Sequence, residues 1–405
     1  MPKFSDRSCR IPASPIRKLV PFADAAKERG TKVYHLNIGQ PDIPTPPAFF
    51  QAISDANLEV VAYSPTAGIA PLREQIRGYY SRLGHELAEN QVMVTTGASE
   101  ALSFVFVALM NPGDEVIVPE PFYANYLSFS LAKDATVVPV TSRIEDDFAL
   151  PSIEEFEAKI TDRTKAILIC NPGNPTGVLY PKEAMERLKE LAKKHDLFII
   201  ADEVYREFVY CGAAHSSCLS LTGIEQNVVI VDSISKRFSA CGARIGCVIS
   251  RNDELMSVLV KQAQARLSPP TLGQIGATAM YQLPPSYYAG VVEEYSARRD
   301  LLKATLDNIE GVQCPQVNGA FYAMVRLPVD DTEKFCRWIL EDFEHQGATV
   351  MMAPAAGFYA TEGLGRDEVR IAYVLNQQDL AAAMECLEAA LAAYPGRVQI
   401  VNAHR

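Results

Sequence analysis

The chain has no excess of positive charge. Its 38 lysines and arginines are outnumbered by 49 aspartates and glutamates, a formal net charge of −11 over 405 residues. It therefore has no cationic field with which to neutralise the phosphates of a nucleic acid. No apolar run reaches membrane-spanning length, and the N-terminal MPKFSDRSCRIPAS carries no apolar stretch of the secretory kind. The nine cysteines are scattered, with no C-x-x-C pair and no zinc spacing, so no metal site is expected. Cys170, Cys241 and Cys247 sit in apolar or small-residue runs and read as buried thiols; a reducing cytoplasm is the simplest setting. Internal repeats and low-complexity tracts are also missing. What remains is 48% hydrophobic and 21% charged, the balance of a globular protein. At this length the expectation is two domains, or one large α/β domain with a satellite.

Residues 1–47 are rich in proline and poor in periodicity, and are expected to form an arm packed on something else. A helix is expected from Pro47 to about Ala56, and another over Pro71–Leu83 with proline in its first turn. From Gln91 the pattern alternates. Strand Val92–Thr95 leads through Gly97-Ala98-Ser99 into an apolar helix, Ala101–Met110. Strand Glu115–Val118 is followed by PFYANY and a further helix. Strand Lys165–Cys170 ends in NPGNPTG, a helix opens at Pro181, and strand Leu197–Ala201 ends in Asp202. Strand, helix, strand in this order implies right-handed crossovers and a largely parallel sheet. Beyond about Arg298 the texture changes to a smaller α+β pattern. Helices are expected near Val292–Leu306, Thr332–Gln346 and Asp379–Ala393, with strands at Phe321–Arg326 and Val369–Val374. No element is expected over Gly396–Arg405.

The chemistry gathers around Val228–Gly246, VVIVDSISKRFSACGARIG. The β-branched run reads as a strand buried on both faces, and Ser233, Ser235 and Lys236 stand where the chain leaves it. A lysine held against apolar surroundings becomes a usable amine nucleophile. Arg244 and the serine hydroxyls supply donors suited to a phosphate. An amine for an aldehyde beside donors for a phosphate describes a pyridoxal phosphate site. Ligands of open parallel sheets sit beyond the carboxyl ends of the strands, and three more groups fall at such ends. Gly97-Ala98-Ser99 opens a helix whose N–H groups suit a phosphate. Asn174 follows one strand, and Asp202 ends the next, where a buried carboxylate needs a cation such as a protonated pyridine nitrogen. Tyr205, three residues on, is placed to donate to a ring oxygen beside Asn174. Each group alone is ordinary, as turn residue, cap or core; their joint order is not.

Together these segments resemble the class I/II aminotransferases, pyridoxal 5′-phosphate enzymes of the aspartate aminotransferase fold (fold type I). The most specific motifs are NPGNPTG at 171–177, ADEVY at 201–205 and SISKRFSACGARIG at 233–246. The resemblance implies an α/β fold: a large domain with a mostly parallel sheet flanked by helices, residues 48–298, plus a smaller α+β domain, residues 299–405, completed by the arm of residues 1–47. It implies that Lys236 binds the cofactor aldehyde and moves the substrate proton, and that Asp202 pairs with the pyridine nitrogen. Tyr205 and Asn174 would meet the ring oxygen, and Ala98, Ser99, Ser233, Ser235 and Arg244 the phosphate. Tyr123 would stack on the ring. Arg370, on the opposite face of its strand from Val369, Ile371 and Tyr373, would grip the substrate α-carboxylate with the Gly39 backbone and Asn174. Tyr63 would reach the phosphate of a partner subunit, which implies a homodimer with shared active sites.

Arg266, just before Ser268-Pro269-Pro270, stands where dicarboxylate-specific relatives supply a second arginine across the dimer. The expected reaction is thus ping-pong amino transfer between aspartate or glutamate and a 2-oxo acid such as 2-oxoglutarate. Alanine- or aromatic-selective transamination and β-lyase chemistry use the same scaffold. A pyridoxal phosphate-sensing regulator fits poorly, because it needs a basic DNA-binding domain ahead of the fold.

Overall fold

A computed structural model describes residues 2–398; residues 399–405, most of the C-terminal stretch for which no element is expected, lie outside the described residues. The strands, in chain order, are β1 (Lys32–His35), β2 (Val92–Thr95), β3 (Glu115–Glu120), β4 (Thr136–Thr141), β5 (Thr164–Cys170) and β6 (Phe198–Asp202), then β7 (Val228–Ser233), β8 (Gly246–Ile249), β9 (Tyr322–Arg326), β10 (Ala348–Met351), β11 (Ala353–Pro354) and β12 (Glu368–Ala372).

Seven of them form one sheet in the order β2-β8-β7-β6-β5-β3-β4. Neighbours from β7 to β4 pair in parallel, and only β8 runs against the rest. The apolar runs of the central strands are what two-sided burial requires. Ile167, Ile169, Ile199 and Ile230 face one core, while Ala166, Leu168, Ile200 and Val231 face the other. Each such side chain contributes roughly 1.5–3 kcal/mol through burial. The helix Lys182–His195 presents Ala184, Leu188, Leu191 and Ala192 to the first core at the expected spacing. Parallel pairing brings the carboxyl ends of β2, β5, β6 and β7 to one edge of the sheet, together with the first residue of β8.

A third core lies over the antiparallel sheet β11-β12-β9 and the two-stranded sheet β1-β10. Residues 1–47, read as an arm completing the smaller domain, carry elements that the poor periodicity did not indicate. The stretch contains the helix Val20–Glu28, with Pro21 in its first turn and Ala23 and Ala26 buried. It also contains β1, which pairs in parallel with β10, Lys32 opposite Ala348. Besides β1, four strands were not expected, among them the two-residue β11. β4 is an edge strand interrupted by Pro139, and β8 and β10 are four residues each. The helix after β2 spans Gly97–Leu109, starting earlier than the apolar run indicates. All nine cysteines are free; Cys247 is buried as expected, but Cys170 and Cys241 are half-buried. Among the described residues no helix is long and apolar enough to cross a membrane, and no group of side chains could hold a metal ion.

Candidate active site

β7 delivers two neighbouring cations to opposite sides of the chain. Its last residue, Ser233, caps the short helix Ile234–Arg237 by accepting from the Ser235 N–H. Arg237 turns inward, fully buried, and pairs with Asp232, which also accepts from the Tyr80 hydroxyl at 3.0 Å. Lys236 turns outward, its Nζ donating to the Gly39 carbonyl at 2.7 Å and lying 3.8 Å from Cys241 Sγ. The buried Arg237–Asp232 pair fixes the turn from beneath, leaving the Lys236 amine to a cavity of about 710 Å³.

One end of this cavity is built for an anion. Gly97 (φ +73°) opens the helix Gly97–Leu109, and the residues lining the cavity there are Ala98, Ser99, Ser233, Ser235 and Arg244. A Cβ on Gly97 would stand 2.4 Å from Arg244 Nη2, and one on Gly246 would stand 2.7 Å from the Ala98 nitrogen. Glycine at both positions lets strand, helix start and guanidinium close on one spot. Arg244 itself adopts φ +54°, strain of roughly 1–2 kcal/mol that persists only where the surroundings hold it.

Asp202 stands at the end of β6, 5% exposed. Its carboxylate accepts from the Tyr126 hydroxyl at 2.8 Å and the Val204 N–H at 3.3 Å. No cation lies within ion-pair distance of it among the described residues, and burial pushes its pKa up to about 6. A carboxylate kept dry and unpaired facing a cavity suits a cationic group. Beside it Asn174 Nδ2 donates to the Tyr205 hydroxyl at 3.3 Å, and that hydroxyl lies 2.9 Å from the Tyr322 hydroxyl. Tyr123 receives a hydrogen bond from Asn125 at 2.7 Å. Burial pushes its hydroxyl up to about 12, with the nearby Arg370 and Arg17 pulling the other way.

Arg370 is 1% exposed. Its guanidinium donates to Asn174 Oδ1 at 3.0 Å and to the Asn37 carbonyl, while Nε has no partner. It lies over the rings of Tyr322 and Phe358 at 4.5 and 4.9 Å. Burial lowers its pKa, and no carboxylate among the described residues pairs with it. A buried guanidinium held by neutral acceptors retains charge for an incoming anion.

The cavity thus gathers Gly39, Ala98, Ser99, Tyr123, Asn174, Asp202, Tyr205, Ser233, Ser235, Lys236, Arg244 and Arg370. The two residues expected to serve a partner subunit's site lie outside this chain's own cavity. Tyr63 is 79% exposed, away from this chain's cavity. Arg266 does not line it either: the guanidinium turns onto its own chain, donating to the Thr66 carbonyl at 3.2 Å and lying 3.7 Å from Glu100. That is the geometry of a brace, within its own chain, for the loop before Gly68. Four residues that were not singled out belong to the site or its support: Tyr126, Tyr322, Gln40 and Arg17. Tyr126 carries a legible signal, since it stands three residues after Tyr123. Tyr322 sits in an apolar strand and carries none.

The chain matches the family model for aminotransferases of class I and II over residues 31–387. It is 33% identical to the aspartate aminotransferase of Thermotoga maritima over 389 residues, covering 95% of this chain and 98% of that one. Among solved structures, it resembles the Thermus thermophilus aspartate aminotransferase with maleate (TM-score 0.87, 29% identity, 96% of this chain and 100% of that one). It resembles equally an alanine aminotransferase from Pyrococcus furiosus (TM-score 0.87, 30% identity, 96% and 99%).

Proposed function

The chain belongs to the class I and II aminotransferases, and on that premise we propose that it uses pyridoxal 5′-phosphate to exchange the amino group of aspartate or glutamate with a 2-oxo acid such as 2-oxoglutarate. The observation that carries the cofactor reading is the unpaired, buried Asp202 sharing one cavity with the Lys236 amine and an anion cradle at Gly97 and Arg244. The donor set fits the cofactor at both ends: a carboxylate for a ring nitrogen, hydroxyls, N–H groups and a guanidinium for a phosphate. Bound there, the cofactor supplies an aldehyde for the amine and a ring that withdraws electrons from the substrate carbon.

The chain's own residues do the rest. Ala98, Ser99, Ser233, Ser235 and Arg244 hold the phosphate, and Asp202 keeps the ring nitrogen protonated. Tyr126, by donating to Asp202, is a positioning residue. Tyr205 and Asn174 orient the ring oxygen, and Tyr123 covers the ring. Arg370 binds the substrate α-carboxylate, with Asn174 and Gly39 beside it, and so presents the α-carbon to Lys236. Lys236 Nζ moves the proton at that α-carbon. The names of the relatives support a dicarboxylic substrate. We further propose a homodimer in which Tyr63 serves the neighbouring site. The large domain would span 48–298, and the smaller one 299–405 with the N-terminal stretch. Nine free cysteines suit a reducing cytoplasm.

Borohydride reduction of the loaded enzyme, followed by proteolysis, should leave the label on the peptide carrying Lys236 and on no other. Lys236→Ala should lower transamination by about 10²–10⁴-fold or more. A label on a different lysine overturns the assignment.

A further inference from the structure

We propose that Arg17, contributed by the same chain, binds the side-chain carboxylate of a dicarboxylic substrate; this rests on the aminotransferase reading above and names the residue that selects its substrate. Four cations line the cavity, Arg17, Lys236, Arg244 and Arg370, against a single carboxylate, Asp202. The amine, the phosphate and the α-carboxylate engage three of the cations. Arg17 is left. Its side chain has no hydrogen-bond or ion-pair partner among the described residues, and it is exposed where it lines the cavity. It lines the same cavity as Tyr123 and Arg370. The cavity thus offers one guanidinium more than the amine, phosphate and α-carboxylate need, as a substrate with a carboxylate at each end requires.

The backbone under Arg17 is held firmly. Pro15 is buried against Gly357, where an added Cβ would stand 2.6 Å from the proline ring. Leu19 is buried in the core over β1 and β10. Between them the Ile16 carbonyl accepts from the Asn37 side chain at 2.8 Å, and the Asn37 carbonyl accepts from Arg370. One asparagine thus fixes the segment carrying Arg17 relative to the arginine for the α-carboxylate. A planar guanidinium offers a carboxylate two parallel hydrogen bonds, which ammonium does not. Arg266 does not line the cavity of its own chain.

The test compares wild type, Arg17→Ala and Arg17→Lys as loaded enzymes. It measures kcat/KM for L-aspartate, L-glutamate and L-alanine, and calorimetric binding of succinate and propionate, which do not react. Arg17→Ala should lower the aspartate-to-alanine ratio of kcat/KM by at least about tenfold, and Arg17→Lys should restore part of it. Succinate affinity should fall alongside, with propionate affinity unchanged. Equal losses for aspartate and alanine, or an unchanged succinate affinity, overturn the proposal, as does a wild type that binds succinate no better than propionate. Should the wild type transaminate none of these amino acids, the reaction assigned to the site fails, while the succinate comparison still decides the role of Arg17.

Discussion

Asp202 exposes a tension that folding alone does not relieve. Its pKa rises from 3.8 to about 6 because burial disfavours the charge. Between those values the folded chain binds more protons than the unfolded one, so stability falls as pH rises from about 4 to 6 and stays lowered above. A shift of that size corresponds to about 3 kcal/mol at most. Asp202→Asn should therefore stabilise the protein stripped of cofactor at pH 7.5, by about 1–3 kcal/mol, with the gain vanishing near pH 4. The same substitution should slow single-turnover transamination. Denaturant melts at the two pH values check the first, rapid mixing the second. A variant less stable than wild type at pH 7.5 would refute the electrostatic account. Asp202 was legible because a charge closing an apolar strand is anomalous on its face. Arg370 was half legible: the alternation placed it opposite Val369 and Ile371, but its burial comes from Phe358 and Tyr322, remote in the chain. Tyr322 was illegible, since a tyrosine among apolar strand residues reads as core. Arg17 was illegible because an arginine beside a lysine, here Lys18, reads as solvated surface.

Two glycines at the junction of β2, β8 and the helix Gly97–Leu109 decide whether the anion cradle closes. A Cβ on Gly246 would meet Gly97 C, Ala98 N and the Asp232 carbonyl at 2.6 to 2.8 Å, all backbone. Backbone cannot yield as a side chain does, so Gly246→Ala should cost about 1–3 kcal/mol and weaken cofactor retention. Gly290 is the internal control. It lies within the helix Pro285–Leu306 with nothing near its added Cβ, so Gly290→Ala should stabilise by up to about 1 kcal/mol. Chemical denaturation of the pair should give opposite signs; equal signs would discredit the crowding argument. At this scale the central strands were legible because two-sided burial writes continuous apolar runs. The elements that escaped notice did so for physical reasons. β8 (GCVI) and β10 (ATVM) open on glycine and alanine, which weaken a strand signal, and Pro139 interrupts β4, which an edge strand tolerates. The helix Val20–Glu28 buries little more than two alanines, too narrow a face to announce itself.

The proposed homodimer needs an apolar surface near Tyr63, and one is there. Val60 and Val61, 74% and 60% exposed, stand just before Tyr63 in the chain. Their loop is tied to the segment bearing Leu267 and Leu272 by Thr271 donating to the Ala62 carbonyl at 2.9 Å. Patches of this kind are what association covers. If each Tyr63 serves its neighbour, Lys236→Ala chains mixed with Tyr63→Ala chains should regain activity that neither has alone. With random exchange about a quarter of the sites are intact. Recovery should follow subunit exchange in time, and no recovery after verified exchange would show that the sites are independent.

The pairing of β1 with β10 joins Lys32 to Ala348, more than three hundred residues away. During synthesis, at roughly 5–20 residues per second, β1 waits about 15–60 s for the strand that completes its sheet. Asn37 and Gly39, which follow β1 into the site, wait with it, and so does Arg370, made later still. The cavity is therefore among the last parts of the chain to assemble, and a ribosome stalled short of β10 carries a chain whose anion cradle is already made but whose Arg370 and the strand that pairs with β1 are still to come.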